Sequence, residues 1–174
     1  MKVRLATLAD AEAIRAIYNP EVLGSTVTFD LVPRTIEAQQ QWLDEHSGAH
    51  PAVVADDNGV IAGYGSLSEY KPRPAYRTSV EDSVYVHRDY RGKGVGRMIL
   101  SSLIDLATDH GFHAVFARIV GGHEASITLH QQCGFFIIGS EREVGRKFNQ
   151  WLDVLIMELL LSPNSSSAVG NQPG

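Results

Sequence analysis

The stretch VEDSVYVHRDYRGKGVGRMILSSLIDLA, residues 80–107, reads as a strand, a tight loop and a helix in immediate succession. Thr78 to His87 is rich in valine, serine and tyrosine, the composition of a pleated segment. From Val95 to about Asp109 the apolar residues Ile99, Leu103, Leu106 and Ala107 recur with helical period, and Gly111 stops the pattern. Between the two lies Arg91-Gly92-Lys93-Gly94-Val95-Gly96. Glycines without Cβ let backbone N–H groups approach a ligand closely. The start of the following helix adds unpaired donors and a positive dipole end, so the loop suits phosphate oxygens. Arg91, Lys93 and Arg97 add charge, which fits a pyrophosphate better than a single carboxylate.

Two familiar phosphate loops fail on spacing. A Walker A loop needs Ser or Thr after its lysine, and Lys93 is followed by Gly94. A dinucleotide fingerprint needs Gly-x-Gly-x-x-Gly, whereas Gly92, Gly94 and Gly96 are evenly spaced. A plain helix start whose glycines only permit a tight turn remains the bland alternative.

Working outward, the 174 residues suffice for one domain with its own core, expected over residues 1–161. Ser162 to Gly174 is polar and rich in Gly, Ser and Pro, and is expected to be a disordered tail. Composition, 44% hydrophobic and 20% charged, is that of a globular chain. The longest apolar run, Trp151 to Leu161, is broken by Asp153 and Glu158, and the first residues lack a signal-peptide core. A cytoplasmic protein without a membrane partner is expected. The net charge of −5 argues against nucleic acid. Residues 71–97 nevertheless carry +4 against −9 elsewhere, a local contrast that suits a small anionic ligand. The lone Cys133 excludes an intrachain disulfide framework, and the seven histidines lack metal-ligand spacing, so no metal is expected.

Along the chain, Val3–Leu5 reads as a strand and Ala11 to about Tyr18 as a helix ended by Asn19-Pro20. A second helix opens at Thr35. Ala52–Ala55 and Val60–Leu67 form a hairpin turned at Asn58-Gly59. Lys71-Pro72-Arg73-Pro74 is a loop. Ala114–Val120 is a strand, Ala125–Gln132 a short helix, and Phe135–Ser140 and Trp151–Leu161 the last strands. The order predicts a mixed α/β fold with a largely antiparallel first half.

The loop Arg91–Gly96, with Val84-Tyr85-Val86 before it and Ile127-Thr128-Leu129-His130 and Gly134-Phe135 after it, resembles the acetyl-CoA site of the GNAT acyltransferase superfamily. Ser79-Val80-Glu81-Asp82-Ser83-Val84-Tyr85-Val86, Ala125-Ser126-Ile127-Thr128-Leu129-His130 and the late Val144-Gly145-Arg146-Lys147-Phe148-Asn149-Gln150-Trp151-Leu152-Asp153 resemble its phosphinothricin and methionine sulfoximine/sulfone N-acetyltransferase branch. The likeness runs from about Val3 to Leu161.

It implies a GNAT-type, mostly antiparallel sheet with helices on both faces and two central strands, Val80–Val86 and Ala114–Val120, splayed to make the acetyl-CoA cleft. It implies that the main chain of Val84, Tyr85 and Val86 pairs with the pantetheine arm, and that amides of Gly92, Lys93, Gly94, Val95, Gly96 and Arg97 hold the pyrophosphate. His123, where asparagine is usual, and Ser126 are further cofactor contacts. Lys71, Pro72, Arg73, Tyr76, Glu81, Asp82 and Ser83 are expected around a small amine acceptor, with Lys147, Phe148 and Trp151 reaching it across a homodimer interface.

Amine acetylation needs a neutral amine and a proton for the departing thiolate. An α-amine of pKa about 7.7–8.0 makes modest demands on a base, so a carboxylate is enough. Glu81 matches the general base of the resembled branch; a solvated Glu81–Asp82 pair is the bland reading. His130, where many superfamily members have tyrosine, either protonates the thiolate or packs and hydrogen-bonds within its helix. The function expected is acetyl transfer from acetyl-CoA to the α-amine of an amino-acid-like molecule by direct attack. A polyamine or protein N-terminus as acceptor, and a catalytically silent acyl-CoA-binding domain, are the rivals.

Overall fold

The computed structural model describes residues 1–161, and the expected tail lies outside them. The elements run β1 (Lys2–Leu5), α1 (Ala11–Gly24), α2 (Ile36–Glu45), β2 (Ala52–Asp57), β3 (Val60–Glu69), β4 (Ser79–Val86), α3 (Val95–Asp109), β5 (Ala114–Val120), α4 (Glu124–Gln132), β6 (Phe136–Lys147) and β7 (Gln150–Leu160). This is the order read from the sequence. All seven strands join one sheet, ordered β1-β2-β3-β4-β5-β7-β6. Every neighbouring pair is antiparallel except β4 and β5.

Strand alternation divides the core in two. Val53 and Ala55 of β2 pack with Ile99, Leu100 and Leu103 of α3, while Ala52 and Val54 pack with Ile14, Ile17 and Tyr18 of α1 and Leu43 of α2. Helices therefore cover both faces. The approach of α3 is set by Gly63 and Gly65 of β3. A Cβ at Gly65 would lie 2.6 Å from Ile99 Cγ2 and 2.8 Å from the Ser83 carbonyl oxygen, so only glycine admits the helix this close. That seating brings the N-terminus of α3 against the end of β4, where the glycine loop lies.

Two boundaries differ from expectation. Helix α1 continues through Asn19-Pro20 to Gly24. A proline inside a helix costs about 3 kcal/mol. Burial of Ile17, Tyr18 and Val22 around it offsets that cost. The Asn19 amide also donates to the Arg34 carbonyl (3.0 Å) and accepts from the Arg34 N–H (2.9 Å), tying the helix to the next loop. The second difference is β6, which runs past Ser140 to Lys147 and turns into β7 through Phe148 and Asn149, with φ of 49° and 62°. These are the left-handed values of a two-residue hairpin turn, here without glycine.

Candidate active site

β4 and β5 pair over three residues only, Ser79, Val80 and Glu81 against Ala114, Val115 and Phe116. Beyond that point β4 stays on β3 as far as Val86, and β5 stays on β7 as far as Val120. The strands diverge, and a cleft of about 980 Å³ opens between them. Glu81 stands where the split begins. The far end is closed by the loop into α3, where Gly92 and Gly94 take left-handed φ of 73° and 80°. These conformations favour glycine and turn the chain into the first turn of a helix that leaves its leading N–H groups unpaired.

Val84, Tyr85, Val86, Arg91, Gly92, Gly94, Val95, Gly96, Arg97, His123 and Ser126 all line this cleft, as do Glu81, Asp82, Ser83 and His130. Lys93 is outside the lining, its ammonium 5.2 Å over the ring of Tyr90, which lines the cleft. Lys71, Pro72, Arg73 and Tyr76 also stand outside the lining. Lys71 is drawn onto the rings of Tyr70 (4.8 Å) and Tyr76 (5.2 Å) by cation–π attraction. Lys147 is buried and donates to the Thr28 carbonyl at 2.8 Å, while Phe148 and Trp151 are exposed on the outer hairpin. None of the three faces the cleft of its own chain.

Burial pushes the Glu81 carboxyl up to about 7; Arg118 opposes the shift, and the carboxylates of Asp82 and Glu141 reinforce it. A carboxyl half-ionised at neutral pH is poised to take a proton and release it again. Asp82 and His130 form a second, deeper pair, 5% and 3% exposed. His130 Nδ1 lies 2.7 Å from the Ser126 carbonyl, to which it can only donate, and Nε2 lies 3.0 Å from Asp82 Oδ2. Burial lowers the imidazole's pKa, but its bond to Asp82, that carboxylate's charge and the Ser126 carbonyl outweigh it, so the value is raised. With both ring nitrogens engaged, His130 has the geometry of a residue that positions Asp82. Asp82 Oδ1 meets no protein donor among the described residues.

Two contributors escaped the sequence reading. Glu21 of α1 is buried in the wall and accepts from Arg88 (3.2 Å) and Arg91 (2.9 Å), fastening the loop to α1. Arg118 lines the cleft from β5, and Glu141 of β6 grips its guanidinium. Arg118 had a signal: it is the only charged residue in Ala114–Val120 and alternates with Phe116 onto one face. Glu21 had none, because its partners lie 67 and 70 residues away.

A strand pair opened into a wedge, with a glycine-rich helix start at one end and a half-buried carboxyl at the other, defines an acyltransferase fold that handles a phosphorylated carrier. Residues 3–156 match the acetyltransferase (GNAT) domain, and the chain belongs to that family. It is 39% identical to the L-amino acid N-acyltransferase MnaT of Escherichia coli K12, over 98% of this chain and 100% of that protein. It is 40% identical to the L-methionine sulfoximine/L-methionine sulfone acetyltransferase of Pseudomonas aeruginosa PAO1, over 95% and 97%. Among solved structures, a phosphinothricin acetyltransferase from Sinorhizobium meliloti in complex with acetyl-CoA superposes with a TM-score of 0.88 at 35% identity, covering 95% of this chain and 94% of that one.

Proposed function

We propose that the protein is an acetyl-CoA-dependent N-acetyltransferase acting on the α-amine of a small amino-acid-like molecule by direct attack within a ternary complex. The observation that carries this reading is Glu81, a half-buried carboxyl at the point where β4 and β5 part, in the same cleft as the glycine loop. The relatives named as amino-acid, methionine sulfoximine and phosphinothricin acetyltransferases support the acceptor class.

The residues present fit acetyl-CoA. Gly92 to Arg97 offer backbone N–H groups and the Arg91 and Arg97 cations for its pyrophosphate. Val84, Tyr85 and Val86, paired on one side by β3 alone, offer main-chain groups for its pantetheine arm. Acetyl-CoA supplies a thioester as the acyl donor. Glu81 would accept the amine proton, directly or through a water, as the nitrogen–acetyl bond forms and the acetyl carbon–sulfur bond breaks, the sulfur leaving as the CoA thiolate. The Asp82–His130 pair, which leaves β4 on the other face from Glu81, also lines the cleft. The test is CoA release by the purified protein with phosphinothricin, methionine sulfone, methionine sulfoximine, common amino acids, spermidine and a short peptide. Saturable turnover on the amino-acid group is expected; turnover on spermidine or peptide alone would transfer the reading to another amine class.

A cytoplasmic homodimer completes the proposal. No helix among the described residues is long and apolar enough to cross a membrane. Supporting the dimer are Phe136, Ile137 and Ile138 exposed on edge strand β6, with Val144 and Trp151 exposed toward the turn of the same strand pair. Light scattering is expected to give twice the chain mass, and a monomer at micromolar concentration would remove this part.

A further inference from the structure

β5 brings one guanidinium into the acceptor side of the cleft. Phe116 is the ladder partner of Glu81, and Arg118 lies two residues beyond it. The three side chains therefore leave the sheet on one face, with Arg118 about 7 Å farther along its strand than Phe116. Its side chain is 29% exposed and lines the same cleft as Glu81. Glu141 reaches over β7 and accepts from Nη1 at 3.1 Å and from Nη2. Two of the five guanidinium N–H groups are thereby engaged, the plane of the fork is fixed, and three donors remain.

The other cations of the wall are placed for a different task. Arg91 and Arg97 flank the glycine loop at the far end, and Arg91 is held there by Glu21. Lys71 and Arg73, expected from the sequence to bind the acceptor, stand outside the lining. This leaves Arg118 as the cation on the wall beside the base.

We propose that Arg118 binds the acceptor's α-carboxylate and makes the enzyme selective for free amino acids over amines and peptides that lack that group. This inference rests on the N-acetyltransferase reading of the same cleft. In an α-amino acid the carboxylate is bonded to the carbon that bears the amine, so an amine presented to Glu81 carries its carboxylate to the adjoining wall. A peptide N-terminus has an uncharged amide there, and a polyamine has no acceptor at all. Because Arg118 and Glu141 together are neutral, the carboxylate is held through the geometry of the remaining N–H groups more than through net charge. Glu141 is then a positioning residue, acting through the guanidinium.

The experiment compares kcat/KM for L-methionine sulfone with that for the amine left when its carboxyl is removed, 3-(methylsulfonyl)propylamine, in the wild type and in Arg118→Gln, Arg118→Lys and Glu141→Gln. The wild type is expected to prefer the amino acid, and Arg118→Gln to lose about tenfold to a hundredfold of that preference through KM, the scale of hydrogen bonds to a charged group. KM for acetyl-CoA stays in place and reports that the variant is folded. Arg118→Lys keeps part of the preference, as a point charge without the fork. Glu141→Gln loses part of it, and serves with Arg118→Lys should Arg118→Gln fail to fold. A preference unchanged in the variants, or a wild type that favours the amine, overturns the inference and leaves acetyl transfer intact. A wild type that acetylates neither compound overturns the amino-acid acceptor reading and this inference with it.

Discussion

Replacing Glu81 with Gln lowers kcat by about 10²- to 10⁴-fold, the range of a lost general base, while KM for acetyl-CoA stays where it was. The split follows from position: Glu81 stands where the strands part, and the loop that suits the pyrophosphate stands at the other end of the cleft. The pH profile supplies a second readout. A base works only when ionised, and burial has pushed this carboxyl up to about 7, so wild-type kcat/KM falls as pH drops through that value. The acceptor's own amine adds a rise through about 7.7–8.0. In Glu81→Gln the limb near 7 disappears and the amine's limb remains. Stability moves the opposite way. A carboxyl whose pKa is raised by folding contributes its stability at low pH and loses it as pH rises through the folded value, so the variant unfolds at a higher temperature than the wild type at pH 8. Wild-type turnover in Glu81→Gln, or an unmoved inflection near 7, would take Glu81 out of the mechanism.

Exchanging His130 for Phe leaves Asp82 buried without its partner, and breaking such a pair costs about 3–5 kcal/mol. For a chain of this size the melting temperature drops by roughly 10 °C. The sign with pH follows from His130 itself. Burial alone lowers its pKa, but the bond and charge of Asp82 and the Ser126 carbonyl raise it overall. The stabilisation is therefore complete below the ordinary histidine value of about 6.5 and fades as pH climbs through the folded value. The gap between wild type and variant is widest in mild acid. Removing Asp82 as well, in Asp82→Asn/His130→Phe, costs less than the sum of the single changes because the two residues share one interaction. A variant that melts within a degree or two of the wild type refutes the buried pair. Near-normal kcat in His130→Phe below its melting temperature removes His130 as the thiolate's acid.

Element order and type were legible because the signals are local: the Asn58-Gly59 turn, the helical spacing of Ile99 and Leu103, the apolar run Ala114–Val120. The errors fell where tertiary contacts overrule local chemistry. Pro20 stays inside α1 because the residues around it are buried and Asn19 is tied to Arg34. The β6–β7 turn carries Phe148 and Asn149 where a sequence reader looks for glycine. Most residues expected around the cofactor lie in one stretch, Val84 to Arg97, and all of them but Lys93 line the cleft. The surroundings of Glu81 are gathered from several strands, and Arg118 meets Glu141 across 23 residues of sequence, so no single stretch displays them. Lys71 and Arg73 stand outside the cleft lining, although Tyr70 beside them stacks at 4.1 Å on Phe116, the ladder partner of Glu81.

The three residue pairs that join β4 to β5 also have a mechanical consequence. Among the described residues they are the only ladder linking β1–β4 to β5, β7 and β6, so any rotation of one side of the sheet against the other would turn about them. Displacement in such a rotation grows with distance from the fulcrum. Gly92 to Arg97 and His123 sit at the far rim, where such a rotation would open the widest gap, whereas Glu81 belongs to the last joined pair. Any opening at that rim works against the 2.9 Å hydrogen bond between Thr26 Oγ1 and His123 Nε2, while the base sits at the pivot.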